Sequence, residues 1–231
     1  MSESRFSNPR IKIRRAKKLI GDLQDEVCAF LASSPVKVTA SIEVVDGSPT
    51  ISGQFSANGV PESIIATLGD IIHNLRTSLD LTASEMARLS DKSDKNVYFP
   101  FAKNSQDFDA AIKSKNFDRT GDKAVALIKS LQPWIGGNFL LRAIHDLDIQ
   151  DKHQSIIPVP LSFAGPVFRL HDLDGTWNPT IIGDPNAASS EVMVVFPDNC
   201  ALAGKELIPT LRALAELING IIDAFDAIFS V

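Results

Sequence analysis

The residue pattern predicts an α+β fold, a bundle of long helices packed on a mostly antiparallel sheet. Three observations carry this expectation. Long stretches repeat apolar residues at helical spacing, residues 36–57 alternate apolar and polar about an Asp46-Gly47 turn, and short β-prone runs in the last third precede a final helix. The chain has 231 residues, 44% hydrophobic and 22% charged, with no internal repeat or long linker, so one domain over 1–231 is expected.

Asn8-Pro9 reads as an N-cap followed by proline at the first helical position, opening a helix over 9–33. Ala16, Leu19, Ile20, Leu23, Val27, Phe30 and Leu31 recur along it before Ser33-Ser34-Pro35 stops it. Val38, Ala40, Ile42 and Val44 then alternate with Lys37, Thr39, Ser41 and Glu43, and Ile51, Gly53, Phe55 and Ala57 alternate on the return. This is the pattern of a half-buried hairpin over 36–57. Gly59 and Pro61 open a second long helix reaching about Leu89, with Ile64, Leu68, Ile71, Ile72, Leu75 and Leu79 on its apolar stripe. A charged loop over Asp91–Asn96 leads to the extended Tyr98-Phe99-Pro100-Phe101. Shorter helices are expected near Ser105–Ser114 and over Asp122–Leu131, where Pro133 ends the second. Gly136-Gly137-Asn138 breaks the chain before a helix from Phe139 to about Asp151, completing a helical core over 61–157. Pro158, Pro160 and Pro166 mark a connection. Over 166–230, Val167–Leu170, Thr180–Ile182 and Val192–Phe196 read as three strands ahead of the last helix.

Composition excludes several classes. Cys28 and Cys200 are the only cysteines, too few for a disulfide framework or a Cys-rich zinc site. Cys28 flanks an apolar stripe and is expected to be a small buried residue. The apolar stretch from Leu207 to Val231 is broken by Arg212, Glu216, Asp223 and Asp226, so no membrane span is expected. The basic N-terminus lacks an apolar core of signal-peptide type. Its charge bias would suit a transit peptide, yet it runs directly into a helix, and a reducing cytoplasm is the expected location.

Charge is unevenly spread. The first 20 residues carry seven bases against Glu3, and the rest of the chain carries 16 bases against 27 acids. Arg10, Arg14, Lys17 and Lys18 share the first helix's face opposite its apolar stripe. Such a face suits nucleic acid or an acidic partner, and equally suits packing on the chain's own acidic body.

The chemistry-bearing residues gather on two helices. At about 100° per residue, His73, Arg76 and Asp80 lie within about 60° of one another, and Gly69 lies on the same stripe, leaving room for another element. On the Phe139–Asp151 helix, Asp151 falls near the middle of the apolar stripe and Asp148 about 50° from its centre. Carboxylates so placed require cationic partners, which predicts that Asp148 or Asp151 meets Arg76 or His73. His145 and Lys152 border Asp148, and Arg142, Asp146 and His153 share another face. The set reads as a buried polar network, as an acid–base site, or as a His/Asp metal site built from His73, Asp80, His145 and Asp148, although no compact metal motif is present. No metal or cofactor is expected. Asp172-Leu173-Asp174-Gly175 reads as a turn.

Four motifs in order carry a resemblance over roughly residues 60–160. Gly69-Asp-Ile-Ile-His-Asn-Leu-Arg-Thr-Ser-Leu-Asp80, Tyr98-Phe-Pro-Phe101, Leu131-Gln-Pro-Trp134 and Asp146-Leu-Asp-Ile-Gln-Asp-Lys-His153 are similar to those of an uncharacterised bacterial and phage family. That family has an HNLRxxLD helix and an LDxxDKH helix. The resemblance implies a compact, partly helical domain and no particular activity. Relatives often carry His where Leu81 stands and Arg where Gln154 stands. The second helix also distantly resembles the HEPN superfamily of helical ribonucleases, whose signature has an Arg and a His separated by four to six residues. After Arg76 the corresponding places hold Leu81, Thr82 and Ala83, and after Arg142 they hold Leu147, Asp148 and Ile149.

Two functions therefore stand as expectations. The first is a non-catalytic binding or self-associating module with a structural polar centre, able to form a homodimer or to make a weak nucleic-acid or acidic-partner contact through its basic helix. The second is a HEPN-like hydrolase or ribonuclease using His73, Arg76 and a His/Asp pair.

Overall fold

Helix α1 (Ser7–Ala32) and helix α2 (Glu62–Leu89) pack along each other, as their facing apolar stripes require. The computed structural model describes residues 5–45, 48–162, 168–173, 176–181 and 192–229. Ile13, Ala16, Ile20 and Leu23 of α1 are buried, as are Ile64, Leu68, Ile71, Leu75 and Leu79 of α2. Between the helices the chain leaves on β1 (Val36–Val45) and returns on β2 (Ser48–Ala57), antiparallel and in register from Val36↔Ala57 to Val45↔Ser48. Closure of this ribbon at its base, with Asn58 N–H donating to Pro35 O at 2.7 Å, brings the end of α1 to the start of α2. The two helices thus form an antiparallel pair with a β-ribbon inserted at the turn.

The remaining helices complete the bundle. Helix α3 (Phe108–Ser114), a 3-10 turn (Phe117–Thr120) and α4 (Asp122–Leu131) precede α5 (Phe139–His153), which packs on α2. Asn138 caps α5 by accepting the Leu141 N–H at 3.1 Å. Gly137 is sterically required before it, since a Cβ there would sit 2.3 Å from Gln132 O. Helix α6 (Leu207–Ile228) packs against α1, α2 and α5. Phe99, Phe101, Phe117 and Phe225 form an aromatic cluster, with Phe99 lying 5.3–6.5 Å from the other three ring centroids.

The strands depart from expectation. Instead of one sheet under the helices, the described strands pair in twos: β1 with β2, β3 (Val159–Ser162) with β6 (Val192–Val195), and β4 (Phe168–Leu173) with β5 (Thr176–Ile181). All three pairs are antiparallel. Among the described residues the chain is mostly helical, and its core is mainly helix against helix, with the extended Phe99–Phe101 segment packed into it. Strand β3 occupies the proline-marked connection, since a two-stranded ladder leaves an edge that tolerates Pro160. Val167, Ile182, and Asp174-Gly175 of the expected turn lie outside the described residues.

Two smaller corrections follow from packing. Helix α1 begins at Ser7 after Phe6, whose φ of 57° is left-handed, so neither Asn8 nor Pro9 holds the expected place. Phe6 is fully buried 6.4 Å from Phe229, and that apolar contact sets the entry of the chain where cap chemistry pointed two residues later. Cys28 is exposed. It lies about 100° past Val27, beyond the edge of the stripe that α1 buries.

Candidate functional site

Gly69 allows α5 and the turn after it to approach α2. The Asp151 carboxylate occupies the space a side chain would take, with Oδ2 only 2.7 Å from the place of a Cβ. Burial raises the Asp151 pKa above its ordinary value, and the neighbouring Asp148 and Asp70 carboxylates act in the same direction. A hydrogen bond from the Ile156 backbone N–H and the nearby His73 oppose the shift. Beside this contact lies an open cavity of about 520 Å³ whose walls include Glu62, Ile65, Asp70, Asp151 and Ile157.

One turn along α2 the expected helix-to-helix pair is present. His73 Nδ1 lies 3.3 Å from Asp148 Oδ1, while the other Asp148 oxygen accepts from Lys152 Nζ at 2.6 Å. The Asp148 side chain is 6% exposed and that of His73 59% exposed. With Nδ1 protonated, the imidazole donates to Asp148, and Nε2 faces the Thr77 hydroxyl at 3.3 Å. A buried carboxylate thus orients a solvent-facing imidazole.

Arg76 goes elsewhere. Its Nη1 lies 2.7 Å from Asp80 Oδ2, one turn along its own helix, and its guanidinium is 5.0 Å from the centroid of the Phe101 ring. Asp80 Oδ1 accepts the Phe99 N–H at 3.0 Å. Arg76 and Asp80 therefore clasp the segment Phe99–Phe101 onto α2, where the predicted partner of Arg76 was Asp148 or Asp151. His145 stacks on Phe101, with centroids 4.4 Å apart and planes within 5°. Its Nδ1 is buried without a hydrogen-bond partner among the described residues. Burial, then the charges of Arg76 and Arg142, lower the His145 pKa to about 4.

This shift has a definite sign. The folded state favours neutral His145, so its contribution to stability is present above the unfolded-state pKa of about 6.5 and is lost as pH falls towards 4. Urea midpoints measured between pH 7 and pH 4 are expected to fall less steeply for His145→Phe, which keeps a stacked ring, than for the wild type. Identical pH profiles would show that His145 titrates alike in both states.

The other candidates are dispersed. Arg142 holds Asp146 with two hydrogen bonds, of 3.0 and 2.6 Å, and donates to Ala102 O at 2.8 Å, tying α5 to the end of the same extended segment. A smaller cavity of about 310 Å³ adjoins this pair, lined by Trp134, Ile135 and Phe139. His153 is exposed at the end of α5. Among the described residues no group of three His, Cys, Asp or Glu is placed to hold a metal ion. Of the four proposed ligand types, His73 and Asp148 meet, whereas Asp80 and His145 face Phe99 and Phe101. Sequence reasoning missed Phe101 as the platform for both Arg76 and His145. The available signal was the three aromatics in Tyr98-Phe99-Pro100-Phe101, too many for an exposed turn.

The basic helix is partly neutralised within the chain. Arg10 reaches Asp223 at 2.6 Å and Asp226 at 3.2 Å, and Lys17 reaches Glu216 at 2.9 Å, all on α6. Lys18 pairs with Asp22 of its own helix at 2.9 Å, while Arg14 is exposed. Comparisons of the chain with family models, curated proteins and solved structures return no match.

Proposed function

We propose that this chain is a non-catalytic binding module whose polar centre between α2 and α5 is structural. The observation that supports this reading is the engagement of Arg76 and Asp80 with Phe99 and Phe101. An arginine whose guanidinium lies over a phenylalanine ring and pairs with a carboxylate has its charge committed to the fold. Asp148, almost fully buried, is satisfied by His73 and Lys152. Partners are met at the surface, through the basic helix or a second copy of the chain. No helix among the described residues is long and apolar enough to cross a membrane, and a cytoplasmic location belongs to the same proposal.

One observation favours the second reading, a HEPN-like hydrolase or ribonuclease. The exposed His73, oriented by buried Asp148, is the arrangement of a general base. An RNA-cleaving site of that type also needs a cation on the phosphate, and Arg76 is turned towards Asp80 and Phe101. Purified protein incubated with structured and single-stranded RNA is expected to cleave at background, and His73→Ala to behave alike. General acid–base assistance supplies about 10²–10⁴-fold, so a functioning site would be plain. Robust cleavage that vanishes in His73→Ala would overturn the binding-module reading.

A further inference from the structure

Five of the six basic residues of α1, all but Lys12, form one band whose two edges meet different surroundings. At about 100° per residue, Lys17, Arg10, Arg14, Lys18, Ile11 and Arg15 follow one another around about 160° of the helix. The Lys17–Arg10 edge lies over α6 and is held by Glu216, Asp223 and Asp226. The other edge faces solvent: Arg14 and Arg15 are exposed, Ile11 is 50% exposed, and Lys18 makes only an exposed pair with Asp22. The Lys18 side chain stays 66% exposed beside Asp22 of its own helix, whereas those of Lys17 and Arg10, at 41% and 27%, are more covered where they pair across to α6.

We propose that the outward edge of α1, Arg14, Arg15 and Lys18, is a docking surface for the phosphodiester backbone of a nucleic acid, and that α6 withholds Arg10 and Lys17 from it. The inference rests on the binding-module reading and names its partner class. Charge complementarity selects a polyanion. Guanidinium groups predominate at this edge, and their fork matches phosphate oxygens in two-point contacts. A bilayer is a poorer match, because the apolar face of α1, including Ile13, Ala16, Ile20 and Leu23, is spent on the core, and of its large apolar side chains Ile11 alone is exposed. Contacts confined to phosphates give weak, sequence-independent binding.

The number of cations in contact is measurable. Fluorescence anisotropy of a labelled 20-base-pair DNA duplex, titrated with the full chain from 50 to 200 mM salt, gives the slope of log K against log salt. Three cations predict a slope of about −2.7, and five, with Arg10 and Lys17 included, about −4.5. A single-stranded RNA of equal length should show a slope of about −2.1. Arg14→Glu with Arg15→Glu should abolish measurable binding, and the milder Arg14→Gln with Arg15→Gln should reduce the duplex slope to about −0.9. Glu216→Gln with Asp223→Asn and Asp226→Asn should tighten binding and steepen the slope towards −4.5, with circular dichroism confirming the fold.

A wild-type slope near −4.5, or no change in the α6 variant, would overturn the withholding role of α6. Binding unchanged in both Arg14/Arg15 variants would overturn the docking surface. Binding to phosphatidylserine vesicles without binding to DNA or RNA would replace a nucleic acid by a lipid surface. No binding to any of the three would end this inference alone, because the binding-module reading is tested separately by RNA cleavage and His73→Ala.

Discussion

Phe99→Ala is expected to lower the unfolding free energy by about 3–5 kcal/mol. The ring is 1% exposed, and it touches the rings of Phe101, Phe117 and Phe225, which belong to three different parts of the chain. Truncation loses the transfer energy of the ring and opens a cavity that three stiff aromatic neighbours fill poorly. For a chain of this size the melting temperature should fall by roughly 6–20 °C. Near-ultraviolet circular dichroism should weaken with it, because Phe99 packs against three other rings in a fixed, asymmetric environment. A shift below about 1 kcal/mol would mean that the cluster collapses without penalty and that Phe99 does not anchor the segment after α2.

Arg76→Ala is the second large effect, expected at about 2–4 kcal/mol. The substitution strands Asp80, whose side chain is 28% exposed, and removes the guanidinium from the Phe101 ring. The remaining Phe99 N–H and partial solvation of Asp80 keep the loss towards the lower end of what breaking a buried pair costs. Arg76→Lys should recover only part of it, since an ammonium lacks the planar face that lies over the ring. Because Arg76 and Phe99 hold the same segment, Arg76→Ala and Phe99→Ala together should cost less than the sum of the two, by about 0.5–3 kcal/mol. Strict additivity in denaturant unfolding would show that the two act on separate parts of the fold.

Much of the helical frame was legible in the chain itself. Pro61 and the stripe from Ile64 to Met86 mark out the helix observed as Glu62–Leu89, because capping and periodicity are properties of neighbouring residues. That Asp148 or Asp151 would meet Arg76 or His73 was legible too, since a carboxylate beside an apolar stripe must find a donor when the stripe is buried, and the pair that forms is His73 with Asp148. The notch at Gly69 marked where α5 would come close, and Asp151 fills it.

The tertiary structure decided which of several equivalent partners each charge takes. On a helical wheel Arg76 has Asp80 within reach and faces α5 equally well; the landing of Phe101 beside it settles the matter. The band on α1 was visible as a face, but its division into a sequestered and an open edge depends on where Asp223 and Glu216 of α6 come to lie, some 200 residues later. The strands likewise show β propensity locally, while their pairing in twos depends on which backbone edge is within about 3 Å of another. Periodicity is written between neighbours along the chain. Ion pairs, ring contacts and ladders act over a few ångströms in space, so their partners exist only after the helices have packed.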